Sequence, residues 1–521
     1  MISKTGHDFD IIIITGEYYD DHPLSPVGVI ARALDANGYR VGIIEKPETK
    51  NQFTCLGTPR LCFCVTAGSM DSMLYNYTPM KRKRMDDPYS SMSKMPNRAI
   101  IVYCNKIKQY FKSIPIVIGG IEASLRRFAH YDYWDNDLRR SIVFDSRATI
   151  LVYGNGEKQI LEIASRLKKE QDLKGIKGTC IVTKEIDETV AVLPSFKEIK
   201  EDIKKFCLMQ TSFSMYKDIA QEYDNNYLLQ YTYPEYTPND LDWIYSLPYT
   251  RKLHPQSLLK MAKFSVVTHR GCIGKCNFCS LSLHQGDKII SRSEENILRE
   301  VRKLTKHPEF KGYIDDLGGP SANMYGMDCV KRNTCENNCL KCIHLDKSHN
   351  RLISLLKNAR NIQGVKKIFV RSGIRYDLAL RRIEYIKELV NHHISGCLKI
   401  APEHFSEKVT ILMNKDNTNF NDFVSIFNTL NKGKKQYLSY YFMIGHPGDN
   451  IENVCFLKDR IKKKGLTNIE HFQLFTPTPM TVSTCMYWTG MNPFTLEKVD
   501  VIWDYKTKKK LKRMLLDGSR K

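Results

Sequence analysis

The chain has 521 residues, is 42% hydrophobic and carries a formal charge of +22, which is enough apolar material for more than one core and, at roughly 150 residues per domain, for two to four domains. No run approaches the ~18 uninterrupted apolar residues of a spanning helix, and the opening MISKTGHDFD is too polar for a signal-peptide core, so a cytoplasmic protein with no membrane partner is expected. The charge admits a nucleic acid partner without requiring one: lysine is spread along the chain, and the densest basic runs, 81–84 and 506–513, first suggest solvated surface.

Phe9 to Thr15 is a buried-strand pattern, followed by a helical stretch from Pro26 to Asn37 and a second strand at Tyr39 to Ile44, which together make a βαβ unit. Ile114 to Ile118 runs into Gly119-Gly120, and Ala148 to Val152 runs into Gly154-Asn155-Gly156 before another helix. Residues 1–165 are therefore expected to form a doubly wound, Rossmann-like domain. Its glycine turns either open a cofactor crevice or are ordinary strand-to-helix turns. Residues 166–260, with a tyrosine-rich stretch from Tyr223 to Tyr249, are expected to be a connector whose aromatics pack against a neighbouring domain.

From Phe264 onward, apolar strands that end in glycine or polar residues alternate with helices. The strands are Phe264 to Thr268, Gly312 to Asp315, Lys367 to Val370, Cys397 to Ile400, Tyr437 to Ile444 and Ile469 to Phe475. Successive βα units imply parallel strands, hence a partial (β/α)6 barrel over 261–490 with its working groups at the strand C-terminal ends. Residues 491–521 are expected to be a basic tail.

The loop leaving the first of these strands reads SVVTHRGCIGKCNFCS, with Cys272, Cys276 and Cys279 at gaps of three and two. Three thiolates on one short loop can hold three irons of a [4Fe-4S] cube and leave the fourth iron open. Zinc, with His269 or His284 as fourth ligand, and buried structural cysteines are the alternatives. This segment resembles a radical S-adenosylmethionine (radical SAM) motif, and with DLGGPSANMYG, GIRYDLAL, LKIAPEH, GHPGDN and the upstream TGEYYDDHP, TAGSMDSMLYNYTP and IVIGGIEASLRR the chain resembles the YgiQ family of radical SAM proteins over residues 8–500. The resemblance implies a cluster whose open iron chelates S-adenosylmethionine, one-electron cleavage to a 5'-deoxyadenosyl radical, and a reductant such as flavodoxin or ferredoxin. It implies that Phe278 packs near the adenine and that Gly318-Gly319 contacts the methionine amino group through main chain, Pro320 standing where an acidic residue is usual.

Ser372, Arg375, Lys399, Glu403, His404 and His446 follow later strands and should face the barrel mouth, where they could bind ribose, carboxylate or substrate. Glu403 and His404, an acid beside a histidine, are the candidate proton relay. Cys329, Cys335, Cys339 and Cys342, with gaps of five, three and two, lie in the polar insert 327–346 and suggest a second metal site, a further iron–sulfur cluster or zinc. Three more specific functions remain open. Asp20 and His22 have part of a cobalamin-binding DxHxxG signature, although Ser25 stands at the glycine position, so a cobalamin-dependent methyltransferase is disfavoured but not removed. Basic charge allows tRNA modification, and a nucleic-acid-binding protein with a purely structural metal is the non-enzymatic alternative. The substrate is not written in the sequence.

Overall fold

A computed structural model describes residues 1–84, 95–257, 259–329, 331, 335 and 338–516. They divide into two compact units: residues 1–235 with 247–263 and 478–496, and residues 236–246 with 264–477 and the chain from Glu497 onward.

The first unit is built on a ten-stranded sheet. Six strands run parallel in the order Ile2–Ser3, Val41–Glu45, Ile11–Thr15, Cys62–Thr66, Ile116–Ile118 and Ile150–Val152. The run of four isoleucines in Ile11–Thr15 is buried throughout, as expected for a strand covered on both faces. Helix Pro26–Ala36 starts where Ser25 accepts a hydrogen bond from Gly28 N and proline takes the first turn. Val27, Ala31 and Leu34 of that helix pack with Ile11, Ile13 and Ile43 of the sheet. The chain reverses its direction of strand addition around Ile11–Thr15, so the loops after this strand and after Cys62–Thr66 diverge at the sheet's C-terminal edge.

The doubly wound expectation therefore holds, but the sheet does not stop at residue 165. Thr179–Thr183, Asn226–Gln230, Ile219–Tyr223 and Ala191–Leu193 continue it, the first three joined by antiparallel ladders. The stretch expected to be a connector supplies four strands of this sheet, with helices Phe196–Glu201 and Ile203–Ser212 between Ala191–Leu193 and Ile219–Tyr223. Its strands are only three to five residues long, too short for their period-2 pattern to stand out. Tyr223 ends one of these strands and is buried, its hydroxyl donating to Gln221.

In the second unit, parallel strands follow chain order: Ser265–Val267 beside Asp316–Gly318, Tyr313–Ile314 beside Lys367–Ile368, then Cys397–Glu403, Tyr437–Ile444 and Ile469–Leu474 side by side. A single parallel bridge between Ile374 and Ile400 joins the third strand segment to the fourth. Among the described residues no ladder joins Ile469–Leu474 to Ser265–Val267, so the barrel is partial. Helix Glu294–Thr305 shows how a crossover is built: Ser293 caps it, glutamates fill the first turn, Arg302 and Lys303 the last, and Ile297, Val301 and Leu304 are buried. The expected basic tail contains a helix, Tyr505–Leu516, with Leu511 and Leu515 buried. No described helix is long and apolar enough to cross a membrane.

Candidate active site at the strand ends

The cysteine loop begins at His269–Arg270, which pairs antiparallel with Ile290–Ser291. Gly271 has φ +87°, and a Cβ there would lie 2.0 Å from the carbonyl oxygen of Lys288, so only glycine lets the chain turn. Cys272 N then donates to Gly286 O (3.1 Å), and Asn277 pins the far side of the loop through Asn277 N to Met413 O (2.9 Å) and Nδ2 to Leu412 O (3.0 Å). Cys279 N closes a turn onto Cys276 O (2.9 Å).

The three thiols are half-buried. Burial, and then each other's charge, pushes Cys279 up to about 12, and burial raises Cys272 as well. Cys272, Cys276 and Cys279 thus share one electrostatic environment that disfavours three free thiolates and favours a multivalent cation. As the side chains stand, no three His, Cys, Asp or Glu among the described residues are grouped tightly enough to hold a metal ion directly. The donor set fits a cluster in three respects: three thiols on one pinned loop, close mutual charge, and a cation beside them.

That cation is Arg375, whose Nη1 lies 3.7 Å from Cys276 Sγ. It is buried, held by Asp377 (2.7 Å), and its main chain is clasped by Asn323, which accepts from Arg375 N (2.9 Å) and donates to Arg375 O (2.8 Å). The loop after the second strand is in this way fastened to the loop after the third. Gly318 and Gly319 lie on it: a Cβ on Gly318 would meet Ser372 Oγ at 2.9 Å, and one on Gly319 would meet the His269 ring at 2.5 Å. Ser372 hydrogen-bonds Asp316, which also accepts from Arg371 N (2.7 Å).

Glu403 ends the fourth strand with φ +63°, just after a register shift in its ladder. A left-handed glutamate is strained by about 1–3 kcal/mol. Lys415 Nζ stands 3.7 Å from its Oε1, and burial raises Glu403 above the usual carboxylate range. Lys415 also faces Cys272 and Cys279 electrostatically.

Glu403 and His404 have different partners: Glu403, in left-handed backbone, meets Lys415, while the chain turns with His404 N on Pro402 O (2.8 Å) and His404 faces Asp449, its Nε2 3.7 Å from Oδ1 and its Nδ1 accepting from Ser406 N. Burial lowers His404 to about 4 and lifts Asp449 to about 7. Phe278 meets His446 edge-on at 6.2 Å between ring centroids. Lys399 pairs with Glu470 (2.7 Å) and Tyr441 (3.3 Å) along the strand face rather than with the cysteine loop. Lys415, Asp377, Asn323, Asp316 and Asp449 were not singled out from sequence. Asp316 and Asn323 in DLGGPSANMYG, Asp377 in GIRYDLAL and Asp449 in GHPGDN lay in blocks that carried a local signal, and Lys415 lay in none.

In the first unit, the loop after Ile11–Thr15 holds Asp20, Asp21 and His22 inward. Asp20 accepts from His254 N and Ser257 Oγ (both 2.6 Å), and Asp21 binds Arg32 and Thr250. His22 is 2% exposed, its Nδ1 accepting from Leu24 N.

The chain matches the radical SAM N-terminal model over residues 1–268, the radical SAM superfamily model over 266–461, and a domain of unknown function, DUF3362, over 470–517. Among curated proteins it is 45% identical to a UPF0313 protein of Methanocella arvoryzae, covering 94% of this chain and 87% of that one, and 43% identical to one of Clostridium botulinum, covering 98% and 84%. Among solved structures, the fold is similar to the radical S-adenosylmethionine methyltransferase TsrM of Kitasatospora setae (TM-score 0.53, 14% identity, 91% of this chain and 75% of that one) and to the cobalamin-dependent S-adenosylmethionine radical enzyme OxsB (TM-score 0.52, 12% identity, 98% and 61%). The matched domain implies a [4Fe-4S] cluster, S-adenosylmethionine, a reductant and a substrate. The chain belongs to the UPF0313 family, the YgiQ family of radical SAM enzymes.

Proposed function

We propose that Cys272, Cys276 and Cys279 hold the cluster and that the protein cleaves S-adenosylmethionine there, directing a 5'-deoxyadenosyl radical at a substrate over the strand ends of the second unit. The observation that carries this is the convergence of Arg375, Lys415 and Glu403 on a pinned three-thiol loop. A cluster ligated by three thiolates supplies one electron and an open iron.

The chain's own groups divide the remaining work. Arg375 and Lys415 offset thiolate charge and offer donors to a carboxylate. Gly318 and Gly319 keep side-chain bulk away so that main-chain groups can approach a ligand amine. Phe278 offers an aromatic face or edge to a base. Ser372 braces the glycine turn through Asp316. Glu403 is the candidate catalytic group, a buried carboxyl with a raised proton affinity that can take or return a proton. His404 acts as a positioning residue, neutral and turned to Asp449. Lys399 serves the strand face rather than the cofactor.

A second reading adds cobalamin in the first unit. OxsB and TsrM, which share this fold, are described as cobalamin-bound, and the diverging loops at the sheet edge offer a crevice. His22 is buried with its Nδ1 bound to Leu24 N, so in this reading residues of the crevice other than His22 would hold the corrinoid. Corrinoid absorbance retained after gel filtration supports it, and none retained removes it.

The test of the main reading is electron paramagnetic resonance of the anaerobically reconstituted, reduced protein with and without S-adenosylmethionine, beside a Cys272→Ala, Cys276→Ala, Cys279→Ala control. A signal that shifts with S-adenosylmethionine and is lost in the control is expected. An unshifted signal, or zinc in place of iron, overturns it.

A further inference from the structure

We infer that Cys329, Cys335, Cys339 and Cys342 hold a second iron–sulfur cluster, closed by four protein thiolates, and that an electron carrier delivers its electron there for use at the Cys272 loop. The second clause rests on the S-adenosylmethionine-cleaving reading above; the first does not.

Four features carry the inference. The segment between Met324 and Asn350 has no helix or strand among its described residues, and Leu345 is its main buried apolar side chain beyond Met327. Such a stretch does not order itself by hydrophobic burial, whereas a tetrathiolate site contributes folding energy outright. Cys342 N donates to Cys339 O (3.3 Å), the same three-residue closure that Cys279 N makes onto Cys276 O (2.9 Å) in the first loop. Cys339 lies within electrostatic reach of both Cys329 and Cys335. Lys347 Nζ donates to the carbonyls of Leu340 (3.0 Å) and Cys342 (2.6 Å), fixing a positive charge against the thiols.

The choice of iron over zinc comes from what lies beneath. Ile273, inside the first cysteine loop, forms one apolar cluster with Ile289, Met324, Met327, Leu345 and Leu378, and Cys272, Cys329, Cys339 and Cys342 all pack against it. Cys272 of the first group and Cys329, Cys339 and Cys342 of the second therefore pack on one apolar cluster, a shared contact that electron transfer can use and that a purely structural zinc does not need. On the outward side Ile343 is 88% exposed, beside the exposed Lys341. An apolar tip with basic neighbours suits a carrier with an acidic surface, such as flavodoxin or a [2Fe-2S] ferredoxin. The transfer balances without bond or proton changes: the carrier gives up one electron, the second cluster takes it and passes it to the first, and the second returns to its oxidised state.

The experiment compares wild type, the first-site triple alanine variant, and a Cys335→Ser, Cys339→Ser variant, all reconstituted anaerobically. The triple variant should retain about four irons per chain and a reduced-state signal that S-adenosylmethionine does not move. The second-site variant should keep the S-adenosylmethionine-sensitive signal, and the ratio of its S-adenosylmethionine cleavage with reduced flavodoxin to that with dithionite should fall on the order of tenfold or more below the wild-type ratio. A triple variant that binds no iron, or that binds zinc, overturns the second cluster, even if the serine variant fails to fold. A wild-type ratio in the serine variant overturns the electron role. If wild type shows no S-adenosylmethionine response while the triple variant still holds iron, the second cluster stands and the cleavage reading falls.

Discussion

Gly319→Ala puts the proposed cofactor site under a defined steric load. A Cβ at this position meets Cε1, Nε2 and Nδ1 of His269 at 2.5, 2.7 and 2.8 Å, well inside ordinary carbon contact. The ring has little room to yield: it is fully buried, its Nδ1 lies 2.8 Å from Thr268 Oγ1, and Thr268 N is bound to Gly318 O at 2.8 Å. Either the ring leaves its hydrogen bond or the 318–320 turn moves outward. Overpacking of this kind costs about 1–3 kcal/mol, which corresponds to a roughly 5- to 150-fold loss of S-adenosylmethionine affinity if the ligand needs the turn in place. Calorimetric titration of S-adenosylmethionine into reconstituted protein measures it, with iron content as the control for an intact loop. His269→Ala in the same chain removes the obstructing ring and should restore much of the affinity, a coupling visible in a double-mutant cycle. Wild-type affinity in Gly319→Ala, or additive losses in the double variant, would refute the steric argument and with it the role given to the glycine pair.

Gly271→Ala should abolish cluster assembly while leaving the circular dichroism of the fold near wild type, because φ +87° and a Cβ 2.0 Å from Lys288 O prevent the loop from turning; iron per chain after reconstitution checks this. Glu403→Gln should keep iron and S-adenosylmethionine binding but slow product formation on the true substrate by on the order of 10²–10⁴, and unchanged single-turnover rates would remove it from catalysis. The Asp449 carboxyl keeps its proton in the fold, where burial lifts it to about 7, after an unfolded one has lost it near 3.8. Its contribution to stability is therefore present at low pH and is lost as pH rises through about 7, by up to about 4 kcal/mol. Urea unfolding of wild type relative to Asp449→Asn should show that decline between these pH values, partly masked in wild type alone by His404, whose lowered value of about 4 acts in the opposite sense; a flat difference would sink the neutral-pair assignment.

What could be seen in the sequence was whatever is written locally. The six strands expected in the second unit each have a counterpart within a few residues, the second split into Tyr313–Ile314 and Asp316–Gly318, because each is a short apolar run closed by glycine or a charge; the two-residue pair His269–Arg270 and Ile290–Ser291 was not expected. The cysteine loop was legible for the same reason, its ligands and hinge glycine lying within nine residues. The strands between Thr179 and Gln230 were missed because they are paired out of chain order, Ala191–Leu193 standing at the edge beyond Ile219–Tyr223, and a single strand of five residues among lysines has too little period to announce itself. The partners of the site residues were missed for a different reason. Lys415 meets Glu403 from beyond a helix, and Asp449 meets His404 from the next strand's loop; nothing near either residue foretells which charge will be opposite.

Those non-local partners bear on whether the metal at Cys272 is structural. A structural tetrahedral site closes on its own four ligands and asks nothing of its surroundings. Around this loop, by contrast, a buried arginine after the third strand, a glutamate in strained left-handed backbone at the end of the fourth and a lysine beyond the following helix are drawn together. Each is costly to bury, by several kcal/mol for an unpaired charge, and Asp377 and Lys415 compensate only part of that cost. Charge of both signs held at the mouth of a partial barrel, beside Cys272 and Cys279 whose proton affinity is raised by burial, is an arrangement that a bound zwitterion would repay under the proposed function, its carboxylate toward Arg375 or Lys415 and its cationic end toward Glu403 or the carbonyls of the glycine turn. S-adenosylmethionine has both ends, and the nucleic-acid-binding alternative offers no ligand that would need the acid.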